Sequence, residues 1–145
     1  MTDTTATELS LEVTHHLPFP PDRVFDAWPD PATLAKFMLP APGMAAPKVT
    51  TDPRVGGRFL IVMQTPDADL PHEGEYLVID RPNRLQFTWI SAYTQEDSTV
   101  TLEFTPSGAG TDIRLTHVRF PSTESRDNHQ GGWGAILRAM DGALA

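Results

Sequence analysis

Five histidines, His15, His16, His72, His117 and His129, are the side chains best suited to chemistry near neutral pH, where an imidazole can take or give a proton. No two of them have the H-x-x-x-H spacing that would set a zinc pair on one helical face, and there is no cysteine to complete such a site. No bound metal is therefore expected. The chain contains no G-x-S-x-G elbow, and spacing assigns no base to Ser10, Ser91, Ser98, Ser107, Ser122 or Ser125. Glu8, Glu12, Glu73 and Glu75 alternate with apolar residues, so they belong on solvated strand faces. Glycosidase chemistry would need two acids facing one cleft.

Two glycine clusters raise the question of a phosphate cradle. "RVGGRF" (54–59) leads into a strand rather than a helix N-terminus, so Gly56 and Gly57 are read as a tight turn or bulge. "HQGGWGAILRAM" (129–140) brings three glycines to the start of a helical period, in a chain with nothing else suited to phosphate. Gly131 and Gly132 are expected where the helix passes close to a sheet or bends at its start, with Gly134 keeping the next turn slim and Trp133 filling a pocket beside them.

The elements that must position these residues follow from hydrophobic period. Leu9, Leu11, Val13, His15 and Leu17 alternate with polar residues and predict a strand. "PFPPDRVFDAW" and "PDPATLAKFM" predict two short helices, the first carrying Val24, Phe25 and Trp28, the second Leu34, Phe37 and Met38. A proline-rich stretch, 39–47, is too constrained to be helical. Strands are predicted over roughly 47–52, 57–64, 72–80, 84–91, 98–106 and 111–120, separated by PDADLP, DRPN, TQEDS and PSGAGT. His129, Trp133, Ile136, Leu137, Met140 and Leu144 then recur at helical steps. Segregated helices and an antiparallel sheet define an α+β domain.

If the strands run in hairpin order, His72 opens the fourth strand at the sheet end where Trp89 and Ser91 close the fifth. Ser98 opens the sixth there, and His117 nears the end of the seventh. The chain then enters the last helix near His129. His72, His117 and His129 are thus candidates for one end of a cavity, as polar anchors or as a general acid or base.

Composition narrows the classes. A net charge of −8 with scattered basic residues excludes a nucleic-acid-binding face. No run approaches the roughly 18 apolar residues of a membrane span, and the N-terminus lacks the pattern of a signal peptide. With zero cysteines, a cytoplasmic setting is expected. Residues 1–8 are expected to be disordered and 9–145 to form a single domain.

"RVFDAWPDPATLAKFMLP", "DPRVGGRF", "GEYLVIDRPNRLQFTW", "GTDIRLTHVRF" and "HQGGWGAILRAM" occur in an order that resembles the SRPBCC superfamily (START-like, Bet v 1-like), and within it the branch named after activators of heat-shock-protein ATPase. The resemblance implies a helix-grip fold, a curved seven-stranded antiparallel sheet around a long C-terminal helix, with two short helices after the first strand. It also implies a cavity for an apolar or amphipathic small molecule. The chain departs from the branch at Val78, where many relatives carry an acid, and at Arg81, where they carry a second proline.

In such a fold, core aromatics facing the helix double as pocket wall. The candidate lining is Phe37, Met38, Phe59, Ile61, Tyr76, Phe87, Trp89, Leu102, Leu115, Trp133 and Leu137, with His117, His129 and His72 as its polar members. The leading expectation is a cofactor-free binder of a small hydrophobic or aromatic ligand. The alternatives are a cyclase, dehydratase or hydrolase using a cavity histidine, and a partner of a chaperone ATPase. Monomer and homodimer both remain open.

Overall fold

The computed structural model describes residues 9–39, 44–94 and 96–145. The expectation of disorder over 1–8 and much of the proline-rich stretch, 40–43, lie outside them. Strand β1 (Ser10–Leu17) is followed by helices α1 (Pro21–Asp26) and α2 (Pro31–Phe37). Strands β2 (Ala45–Thr51), β3 (Arg58–Gln64), β4 (Asp69–Asp80), β5 (Arg84–Thr88), β6 (Thr99–Ser107) and β7 (Gly110–Val118) come next, then helix α3 (Thr123–Leu144). They form one curled antiparallel sheet in the order β1-β7-β6-β5-β4-β3-β2.

Local chemistry sets the boundaries. Pro21 and Pro31 open the two short helices, where a missing N–H costs nothing, and Asp30 caps α2 by accepting from the Thr33 amide at 3.1 Å. Trp28, expected within the first helix, lies beyond its end and is buried. Pro47 lies inside β2, an edge strand whose register shifts between Ala45 and Lys48, a position that tolerates proline. Strand β4 starts three residues earlier than the sequence period suggests. Pro71 sits in its first part, beyond the reach of β5. Gly56, at φ 84°, makes the tight turn expected before β3. Gly74 permits a close crossing, since a Cβ there would lie 1.9 Å from the Thr88 carbonyl oxygen.

Helix α3 differs most from expectation. Ser122 caps it by accepting the Ser125 amide at 3.0 Å, so it begins at Thr123, six residues before His129. The early turns carry few apolar residues, and periodicity does not reveal them. The glycines therefore occupy the helix interior. A Cβ on Gly131 would meet nothing within 4 Å, and one on Gly134 would meet the Arg138 guanidinium at 3.2 Å. Close approach to the sheet is thus not what these two glycines provide.

One sheet face is buried under α3. Phe59, Ile61 and Met63, then Leu85, Phe87 and Trp89, then Val100, Leu102 and Phe104, then Ile113, Leu115 and His117 all point to it. Leu137, Met140 and Leu144 meet them from the helix. Arg81 joins the β4–β5 turn to α1, donating from Nε and Nη2 to the two carboxylate oxygens of Asp26 at 2.7 and 2.8 Å. These bonds hold the Asp26 carboxyl below its usual range. Val78 is half-buried beside a register shift between Tyr76 and Val78.

Candidate functional site

Between the first half of α3 and the β3–β5 end of the sheet lies a cavity of about 750 Å³. Met63, His72, Trp89, Trp133 and Ile136 make its apolar and aromatic wall, and residues 92–94 of the β5–β6 loop border it. The indoles of Trp89 and Trp133 lie 4.9 Å apart by ring centroid, and His72 stacks against Trp89 at 5.0 Å. The loop is tied by short side chains. Thr94 Oγ1 donates to the Trp89 carbonyl at 2.8 Å and accepts from the Ser91 amide at 2.9 Å. Ser125 Oγ on α3 donates to the Tyr93 carbonyl at 2.7 Å.

The three candidate histidines do converge at this end of the sheet, but into different environments. His117 is fully buried and lies behind the cavity wall. Trp133 Nε1 donates to its Nδ1 at 3.0 Å, and its Nε2 is 2.5 Å from Ser98 Oγ. An indole nitrogen only donates, so Nδ1 must accept, and the single ring proton of the neutral imidazole sits on Nε2. Burial, and then the neighbouring His129, push the His117 pKa down to about 2.

Spacing assigned Ser98 no base, yet the fold brings it to a histidine. The pair is nonetheless not a nucleophile and its base. An Nε2 that already donates to Ser98 cannot take the serine proton, and Ser98 is fully buried. His117 therefore holds the Trp133 indole from behind the wall, outside the cavity that the expected acid or base role would have it reach.

His72 and His129 both reach the cavity. His72 Nδ1 donates to the Leu70 carbonyl at 3.0 Å, and His129 Nδ1 donates to the Ser125 carbonyl at 2.7 Å. Burial lowers the His72 pKa to about 4, against the opposing pull of the Leu70 carbonyl, with His129 lowering it further and the Ile61 carbonyl raising it. Burial also lowers that of His129, opposed by the Ser125 carbonyl. Both rings are neutral at pH 7, with the proton on Nδ1 and the Nε2 lone pair available as an acceptor.

The remaining candidates divide. Trp89 and Trp133 line the cavity. Met38, Phe59, Ile61, Tyr76 and Phe87 surround a separate void of about 10 Å³, room for about one water. Phe37, Leu102, Leu115 and Leu137 are core, away from both spaces, because helix and sheet close to full contact around them. Sequence reasoning passed over Met63, Ile136, Ser125 and Gly132. Met63 continues the inward phase of Phe59 and Ile61, and Gly132 and Ile136 share the helical face of His129 and Trp133, so period alone could have found these three, whereas Ser125 lies in the polar first turns that carry no period. Nothing in the loop sequence signalled Ala92, Tyr93 and Thr94.

Among the described residues, no group of three or more His, Cys, Asp or Glu side chains is arranged to hold a metal ion. No helix among them is long and apolar enough to cross a membrane.

A curled seven-stranded sheet gripping one long helix, with a cavity between them, defines a helix-grip protein of SRPBCC type. The chain belongs to the family described as Activator of Hsp90 ATPase homolog 1-like protein, which matches residues 18–145. It is similar to the crystal structure of protein CV1439 from Chromobacterium violaceum, with 23% identity, a TM-score of 0.79, and coverage of 93% of this chain and 96% of that one. Protein NE0264 from Nitrosomonas europaea shares 25% identity at a TM-score of 0.76, covering 94% of each chain. CalU16 from Micromonospora echinospora shares 24% at 0.72, covering 94% of this chain and 76% of that one. These likenesses concern the fold. No curated protein matches the chain.

Proposed function

We propose that the protein binds a small hydrophobic or aromatic molecule in the cavity between α3 and the sheet. The observation that carries this reading is a space of about 750 Å³ walled by Trp89, Trp133, Met63 and Ile136, with two neutral imidazoles among its polar groups. That volume lies within the range of small-molecule sites, and burial against aromatic walls supplies affinity at about 25 cal/mol per Å² of apolar surface. Among the described residues, no lysine or arginine lines the cavity.

The neutral fluorophore N-phenyl-1-naphthylamine tests the reading. Its emission should rise on adding the protein, and Ile136→Trp, which fills the space, should weaken binding by at least about tenfold, or 1.4 kcal/mol, with the circular dichroism spectrum retained. Unchanged affinity in that variant would place the ligand elsewhere.

One observation favours a second reading, cofactor-independent proton transfer. Among the described residues, His129 Nε2 has no hydrogen-bond partner and carries the lone pair of an oriented neutral imidazole, as a general base requires. Under this reading, turnover of a bound carbon or oxygen acid is lost in His129→Phe while binding persists.

A further inference from the structure

The polar groups of the cavity share one bias that the binding reading does not use. Thr65 Oγ1 donates to the Ala68 carbonyl, Thr94 Oγ1 to the Trp89 carbonyl and Ser125 Oγ to the Tyr93 carbonyl. His72 and His129 commit their one N–H each to the carbonyls of Leu70 and Ser125. Trp133 Nε1 is held by His117. Trp89 Nε1 has no hydrogen-bond partner among the described residues, but it is buried without accessible surface, so a ligand in the 750 Å³ space does not reach it. The side chains that keep a donor, Tyr93, Ser122 and Asn128, are exposed at the rim.

What the interior offers a ligand is therefore lone pairs. Charge points the same way. Among the described residues, the only carboxylate of the lining is Glu124, and no lysine or arginine lines the space beside it. The positive end of the α3 dipole is already met by Glu124 in the first turn and by the Ser122 cap. A ligand carboxylate entering here would lose water and find neither a cation nor an accessible interior side-chain donor among the described residues, whereas a hydroxyl or N–H would find the Nε2 of a neutral histidine.

We propose that the cavity selects aromatic molecules that carry a hydroxyl or N–H donor, received by the Nε2 atoms of His129 and His72, over the corresponding carboxylates and over analogues without a donor. This rests on the binding reading above and assigns the chemical class of its ligand. Selection by an acceptor-lined pocket is strong where a missing donor leaves a desolvated acceptor unpaired.

Calorimetry at neutral pH with three probes of one shape tests it: 2-naphthol, 2-methoxynaphthalene and 2-naphthoate. The naphthol should bind about tenfold tighter than the methyl ether, and the naphthoate at least about a hundredfold weaker than the naphthol. In His129→Phe, in His72→Phe, or in both, naphthol affinity should fall to that of the ether while ether affinity is kept. Equal binding of naphthol and ether, a preference for naphthoate, or a naphthol preference that survives both substitutions would overturn the proposal and leave the binding reading standing. If none of the three probes binds, the binding reading itself fails. The probe series on the unsubstituted chain needs no variant to fold.

Discussion

The two halves of α3 face the same sheet and do opposite things with it. Along its inward stripe the first half carries Ser125, His129 and Gly132, and a cavity of about 750 Å³ remains beneath them. The second half carries Leu137, Met140 and Leu144, all buried, and closes onto β1 and α2. The stripe is continuous and the helix uninterrupted from Thr123 to Leu144, so the space is made by side-chain volume rather than by a break in the backbone. A helix-grip protein can thus separate stability and binding along one element. Trp133 and Ile136 stand where the two halves meet and serve both.

The largest expected effect falls in the filled half. Leu137→Ala should destabilise the fold by about 3 kcal/mol, the loss of transferred apolar surface plus a residual cavity, with ligand affinity unchanged. Urea denaturation and calorimetry on one preparation check both halves of that statement. Loss of binding in parallel with stability would show that the halves are not separable.

The next effect belongs to the histidines behind and within the wall. His117 stays neutral in the folded chain, its pKa lowered from 6.5 to about 2, while in the unfolded chain it titrates normally. Below pH 6.5 the unfolded state therefore binds a proton that the folded state refuses. This part of the stability is fully present above that pH and is lost as pH falls. His72, lowered to about 4, acts with the same sign over the shorter window from 6.5 to about 4. His117 should contribute a slope approaching about 1.4 kcal/mol per pH unit between roughly pH 6 and 4.5, and His72 a slope of about 1 kcal/mol per unit there. His117→Gln should flatten the profile by one such increment, measured by denaturant titration at a series of pH values.

The smallest effect sharpens the reading of the glycines. Gly131→Ala adds a methyl group to open space in a helix interior and should stabilise the fold by about 0.5–1 kcal/mol, raising the melting temperature without altering binding. A loss of stability would restore the idea that this glycine is required for packing.

Much of the frame was legible because period and proline placement are local signals. Alternation gave the strands, hairpin order set His72, Trp89, Ser98 and His117 at one sheet end, and the family motifs supplied the grip. Less of the site was legible, because its properties arise between residues far apart in sequence. The sealed state of His117 depends on Ser98 and Trp133, and its neutrality on the depth to which three elements bury it. No spacing rule carries that. The start of α3 was missed because a capped polar turn has no hydrophobic period. The acceptor character of the cavity was hidden too, since it follows from which protons are already engaged and not from residue type.

The relay from Trp133 through His117 to Ser98 has a further consequence, for conformational entropy. A large aromatic side chain at a pocket wall ordinarily samples rotamers until a ligand arrests it, at a cost of about 0.5–1.5 kcal/mol. In this chain the indole N–H is anchored to a buried ring that is itself anchored to a buried hydroxyl. Trp133 gives up that freedom when the chain folds, and the wall that a ligand meets is already still.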